Sequence, residues 1–127
     1  MNENEIGTIV LTVAIDVHRE LGPGLLESVY ETVLEHELGE RGLIVARQVP
    51  VLITYKGIEF TEGFRADLII ENKVILELKS VECIHPAHKK QVQTYLKLTG
   101  CKLGYLLNFG ADIMKSGITR CVNGLEE

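Results

Sequence analysis

The chain has no long apolar run, few cysteines and no excess of positive charge, and each shortage excludes a class of protein. Its uninterrupted hydrophobic stretches are only a few residues long, far short of the roughly 20 that a membrane-crossing helix needs. It opens M-N-E-N-E-I-G, an acidic start without the basic residues and apolar core of a secretory leader. Cys83, Cys101 and Cys121 make no C-x-x-C pair and are odd in number. That pattern reads as reduced thiols in a cytoplasmic protein rather than a disulfide framework. The net charge of −5 argues against broad electrostatic adhesion to nucleic acid. It leaves room for a nucleic-acid enzyme whose acids serve metal ions and whose basic residues cluster locally.

What is present fits one globular domain over residues 1–127, long enough to bury roughly two-thirds of its unfolded surface. Hydrophobic residues make up 46% and charged residues 24%, which is ordinary for a folded protein. Ile6, Ile9, Val10, Val13, Ala14, Val17 and Leu21 recur at helical spacing until Gly22-Pro23-Gly24 stops them. From about Leu25 to Arg41, a second helix carries Leu26, Val29, Tyr30, Val33, Leu34 and Leu38 on one stripe, with Gly42 as its cap.

The period then changes to two. Val45, Val49, Val51, Ile53 and Tyr55 read as one strand, at a sheet edge or bulged because of Pro50. Lys56-Gly57 turns the chain into a short strand from Ile58 to about Thr61. Phe64 to Ser80 reads as a hairpin turning at Glu71-Asn72-Lys73. Pro86 opens a helix whose buried side is Val92, Tyr95, Leu96 and Thr99, and Gly100 ends it. Leu103 to Asn108 is an apolar strand, and Ile118 to Val122 a last short one. The order α-α-β-β-β-β-α-β-(β) predicts an α/β (α+β) domain, a mixed central sheet flanked by helices.

The Phe64–Ser80 hairpin, F-R-A-D-L-I-I-E-N-K-V-I-L-E-L-K-S, holds three charged residues that an apolar sheet normally excludes: Asp67, Glu77 and Lys79. Two acids among apolar strand residues are costly unless a cation lies between them. Glu77 and Lys79, two apart, share a face. Asp67 joins them only if the turn has an odd number of residues or a bulge. A three-residue loop sets Asp67 opposite Glu77, whereas a two-residue turn sends it to the other face. Asn72, tolerant of left-handed backbone angles, suits the odd loop. Two such carboxylates could hold Mg²⁺ or Mn²⁺, with Lys79 beside them to orient water or neutralise charge on a phosphoryl group. The alternative is a surface hairpin with ordinary cross-strand ion pairs. On the following helix Gln91 and Tyr95, four apart, share a face, joined by His88, while Lys89 and Lys90 add positive charge.

These parts resemble the PD-(D/E)XK nuclease superfamily, with Asp67 as its first acid and Glu77-Leu78-Lys79 as its E-x-K. Ala66 stands where the motif has proline. Gln91-x-x-x-Tyr95 is similar to the Q-x-x-x-Y of the RecB-type, lambda-exonuclease-like branch. Gly24-Leu25-Leu26-Glu27-Ser28-Val29-Tyr30 resembles the signature of the small GxxExxY proteins. The resemblance implies a restriction-endonuclease-like core, with the acids and lysine at one end of the sheet. It implies Mg²⁺ or Mn²⁺ held by Asp67, Glu77, the Leu78 carbonyl and Glu27. It gives Tyr30 packing or a supporting hydrogen bond beside Glu27, and leaves His18 a weaker candidate.

The function so implied is a metal-dependent nuclease that cleaves DNA rather than RNA, the superfamily including restriction, repair and recombination nucleases. Asp67, Glu77, Lys79, Gln91 and Tyr95 would form its catalytic set, and Arg65, Lys89 and Lys90 its phosphate contacts. A homodimer would help so small a domain grip two strands. The rival is a non-catalytic module binding nucleic acid or protein through the same fold. A third reading is a zinc site using His85, His88 and cysteines.

Overall fold

Polar caps and apolar stripes define the helices of the computed structural model, which describes residues 1–126. Helix α1 spans Glu3–Leu21 and starts in a capping box: Asn2 accepts from the Glu5 N–H at 2.8 Å, and Glu5 accepts from the Asn2 N–H at 3.0 Å. Its stripe of Ile6, Val10, Val13, Ala14 and Val17 is buried. Helix α2 spans Glu27–Glu40, two residues shorter at its start than the spacing predicts. Leu26 is its N-cap and is exposed, so it does not belong to the buried stripe of Tyr30, Leu34 and Leu38. Past its end Gly42 takes φ 83°, and the Leu43 N–H returns to the Leu38 carbonyl at 3.2 Å, a glycine-dependent stop.

The central sheet has the order β1-β4-β5-β6-β7. Its strands are β1 (Val45–Pro50), β4 (Arg65–Ile70), β5 (Val74–Lys79), β6 (Leu103–Asn108) and β7 (Ile118–Val122). Only β5 and β6 run parallel, and helix α3 (Pro86–Thr99) connects them; the other neighbours are antiparallel. The mixed sheet flanked by helices agrees with the expected restriction-endonuclease-like core. Helices α1 and α2 pack with Leu68, Ile70, Val74, Leu76, Leu78, Leu103 and Leu107 in one core. Helix α3 packs Val92, Tyr95 and Leu96 with Ile69, Ile75 and Leu106 in the other. Gly104 permits this approach, since a Cβ there would lie 3.1 Å from Val92 and 3.2 Å from Leu96.

The strand expected from Val45 to Tyr55 is two strands, which raises the count before α3 from four to five. Pro50 ends β1, and the Val51 N–H turns to the Phe64 carbonyl at 3.0 Å. The chain then forms β2 (Ile53–Tyr55) and β3 (Ile58–Phe60), which pair only with each other.

The β4–β5 turn has the odd loop that the site requires. Ile70 pairs with Val74, Ile69 with Ile75 and Leu68 with Leu76, so Asp67 falls opposite Glu77 in the same register. Asn72 is left-handed as expected, at φ 55°, and so is Glu71, at φ 54°. The Lys73 N–H closes the turn on the Ile70 carbonyl at 2.9 Å, leaving Lys73 as the extra residue. Glu71 accepts the Ile44 N–H at 2.6 Å and gives its own N–H to the Ile44 carbonyl at 2.8 Å. Those two bonds hold a conformation that a non-glycine residue rarely adopts.

Candidate active site

The sheet ladder opens on both sides of Asp67. Towards β5, backbone pairing stops at Leu68–Leu76, one position before Asp67 and Glu77. Towards β1, Gln48 stands opposite Asp67 in register, but its φ of 53° takes it out of the ladder. Side chains take over the lost backbone bonds. The Asp67 N–H donates to Glu77 Oε1 at 3.0 Å, and the Leu78 N–H donates to Asp67 Oδ2 at 2.8 Å. The two acids thus replace ladder bonds where the strands part, so neither buried N–H is left unpaired.

Glu77 is only 3% exposed. Burial, and next the charge of Asp67, push its carboxyl up from 4.5 to about 8, against the pull of the Asp67 N–H and of Lys79. Asp67 is raised as well, first by burial, while the Leu78 N–H lowers it and the charge of Glu31 raises it. Among the described residues no lysine or arginine stands within ion-pair distance of either acid; the ion pairs present join Asp16, Glu31 and Glu35 to arginines. Lys79, half-buried on the same face, reaches both acids only through its longer-range field. The pair therefore ionises reluctantly in this poorly hydrated place, with no cation among the described residues within ion-pair distance to balance the charge. All-oxygen donors whose ionisation needs a balancing positive charge fit a hard divalent cation.

Helix α3 brings Gln91 and Tyr95 to this face. Tyr95 is buried and hydrogen-bonded to Gln91, and burial together with the charges of Glu77 and Asp67 lifts its phenol to about 12. Phe64 meets the Tyr95 ring edge-on, with centroids 5.3 Å apart. His88 feels the same surroundings only at longer range: burial and the charges of Lys79 and His85 lower its imidazole, while Glu27 raises it. Lys89 and Lys90 are exposed on α3 and line a shallow groove with Gln93 and Lys97. Arg65 is exposed at the start of β4 and donates to the Gln48 carbonyl at 3.3 Å.

Glu27 lies at the rim. It is the first residue of α2 and exposed, and it shares a cavity of about 220 Å³ with Ser28, Glu31, Gln48, Asp67 and Leu78. Among the described residues no three His, Cys, Asp or Glu side chains stand close enough to hold a metal ion together. Asp67 and Glu77 are therefore a pair of adjoining carboxylates, with Glu27 nearby rather than converged on them. The same fact removes the support for a zinc site. His85 Nδ1 accepts the Ala87 N–H and His88 Nδ1 the His85 N–H, both as helix caps, and the cysteines are free, with Cys101 and Cys121 buried.

Two further residues of the first segment have structural duties. The Tyr30 hydroxyl donates to the Gly22 carbonyl at 2.6 Å and accepts the Leu25 N–H at 3.1 Å, and its ring stacks on Phe109 at 4.3 Å. It thereby fixes the Gly22–Leu25 turn that leads to Glu27. His18 does not join the site. Its Nε2 meets the Ala111 carbonyl at 2.8 Å, beside a separate cavity of about 530 Å³ bounded by Ile15, Pro23 and Met114.

A model of the PD-(D/E)XK nuclease superfamily matches residues 4–121. The chain belongs to that superfamily. No curated protein and no solved structure matched it. Membership points to a nuclease acting on nucleic acid, and PD-(D/E)XK nucleases typically use divalent metal ions. No helix among the described residues is long and apolar enough to cross a membrane.

Some residues around Asp67 and Lys79 in this PD-(D/E)XK chain carry no signal that spacing alone would single out. Glu31 is buried and takes bonds from Arg47 Nε at 3.1 Å and Gln48 Nε2 at 2.5 Å; Gln48 also reaches Asp67 Oδ1 at 3.3 Å. Glu31 has a partial one, since it stands one helical turn after Glu27 on the same face. Asn108 clamps the chain just past Lys79, bonding the Val81 N–H at 3.1 Å, the Val81 carbonyl at 2.9 Å and the Gly110 N–H at 3.0 Å.

Proposed function

We propose that this chain is a metal-dependent nuclease that hydrolyses phosphodiester bonds, in DNA rather than RNA, at Asp67, Glu77 and Lys79. One observation carries the reading: two facing acids without an ion-pair partner, at the place where the sheet ladder opens. Preference for DNA rests on the resemblance to restriction, repair and recombination nucleases. The Gln91–Tyr95 pair and the Gly24–Tyr30 segment support assignment to the Q-x-x-x-Y branch and to the GxxExxY proteins.

Asp67, Glu77 and the Leu78 carbonyl would hold Mg²⁺ or Mn²⁺, with Glu27 able to contribute from the rim. The bound ion supplies positive charge that acidifies water and offsets charge building on the phosphoryl group. Lys79 would orient the attacking water and neutralise the phosphate. Gln91, backed by Tyr95, would steady the scissile strand. Arg65, Lys89 and Lys90 would contact flanking phosphates.

The test is cleavage of single-stranded, double-stranded and branched DNA, and of RNA, with Mg²⁺ or Mn²⁺. Lys79→Ala and Asp67→Asn should each lose at least 100-fold in rate, on the scale of about 3 kcal/mol of transition-state stabilisation. Full activity in both variants would overturn the site assignment.

A further inference from the structure

The β2–β3 hairpin projects from the same end of the sheet as the acids. Its root is the Pro50–Arg65 pair and the Val51–Phe64 bond, two residues before Asp67. Within it Ile53 pairs with Phe60 and Tyr55 with Ile58. Residues paired directly across strands share a face, as do residues two apart. One face is therefore Ile53, Tyr55, Ile58 and Phe60, all apolar, while Thr54 and Glu59 share the other. That apolar face is open: Tyr55 is 61%, Ile58 58% and Phe60 39% exposed. A lone two-stranded hairpin is marginal in water and gains nothing from leaving its apolar face wet.

We propose that this face is a stacking platform for unpaired nucleobases of the strand being cut, an inference that rests on the nuclease reading above. Bases stack on aromatic faces in any sequence, provided that they are not already stacked in a duplex. Tyr55 and Phe60 supply two rings. Lys56, 5.4 Å from the Tyr55 centroid, puts a cation at the tip, and Arg65 puts another at the root. The acid Glu59 is kept on the opposite face. A chain of net charge −5 draws little affinity from phosphates alone, so base contacts must supply more of it. A second copy of the chain fits less well. Strands of three residues make a face of roughly 10 by 10 Å, well below the ~800 Å² that each partner of a standard interface buries.

The experiment compares binding of a fluorescent single-stranded oligonucleotide with that of an abasic strand of equal length, in Ca²⁺ to suppress cleavage. Wild type should prefer the strand with bases, and Tyr55→Ala/Phe60→Ala should lose roughly tenfold or more on that strand only. Tyr55→Trp should keep the preference. Lys79→Ala should keep it too, even where cleavage is abolished, so the platform and the nuclease reading can fail separately. Equal binding of both strands by wild type would overturn the proposal. So would a double variant that sediments as monomer where wild type is dimeric while binding DNA unchanged. Thermal melting checks that the double variant is folded.

Discussion

Asp67 and Glu77 each hold the other's strand: the Asp67 N–H is bonded by Glu77 Oε1, and the N–H beside Glu77 by Asp67 Oδ2. The two acids thus stand in for a missing rung of the sheet. Their electrostatic cost and their structural use oppose each other, and the balance depends on pH.

Folded Glu77 keeps its proton up to about pH 8, whereas the unfolded chain releases it near 4.5. The folded state binds more protons between those values, so stability falls as pH rises through them. The contribution is fully present below pH 4.5 and is lost above about 8, on the order of a few kcal/mol. Urea denaturation at pH 5, 7 and 9 should show metal-free wild type weakening steadily. Glu77→Gln should flatten that slope and be the more stable protein at pH 9. Added Mn²⁺ should stabilise wild type most at alkaline pH and the variant little.

Tyr30→Phe removes a hydroxyl with two partners but keeps the ring on Phe109. The expected loss is about 1–2 kcal/mol in urea denaturation. Because the freed turn leads directly to Glu27, cleavage should fall by more than the unfolded fraction explains. Rates measured well below the unfolding midpoint separate the two effects.

Asn108 makes three hydrogen bonds across Val81 and Gly110, just after Lys79. Asn108→Ala should cost about 2–4 kcal/mol, from buried backbone groups left unpaired. Gly110→Ala should be at least as harmful, since its Cβ would lie 2.2 Å from the Val81 carbonyl oxygen. Melting temperatures of both variants, beside the neutral surface change Lys102→Gln, check the ordering.

Period and punctuation made most of this fold legible. The stripe of α1, the glycine stops after α1, α2 and α3, and the Pro86 helix start are local signals, and local chemistry fixes them. The register of Asp67 was legible only as a condition, an odd turn or a bulge, which the three-residue turn meets. The split of the Val45–Tyr55 segment was not legible, because alternation continues through the break: Pro50 signals an edge or a bulge, and the distant Phe64 carbonyl is what diverts Val51. Glu31, Gln48 and Asn108 were harder still. Each acts on a residue at least 16 positions away in the chain, and no spacing rule reaches that far. The Gly24–Tyr30 segment was legible as a motif, yet its tyrosine serves the backbone.

Glu27 is the residue on which resemblance and geometry differ most, and that makes it the sharpest test. The resemblance offers it as a metal ligand, whereas the fold leaves it exposed at the rim of the Asp67 cavity, outside any cluster of three acids. If two carboxylates suffice for the first ion, Glu27→Gln should change Mn²⁺ affinity less than threefold, under about 0.7 kcal/mol. Glu77→Ala should lower that affinity by tenfold or more. If Glu27 swings inward once the ion and substrate charge are in place, Glu27→Gln should still slow cleavage, with kcat falling more than KM changes. Calorimetric Mn²⁺ titration beside steady-state kinetics distinguishes these outcomes. A Glu27→Gln protein with Mn²⁺ affinity as poor as that of Glu77→Ala would make Glu27 a ligand of the first ion. The rim position would then be only the metal-free arrangement.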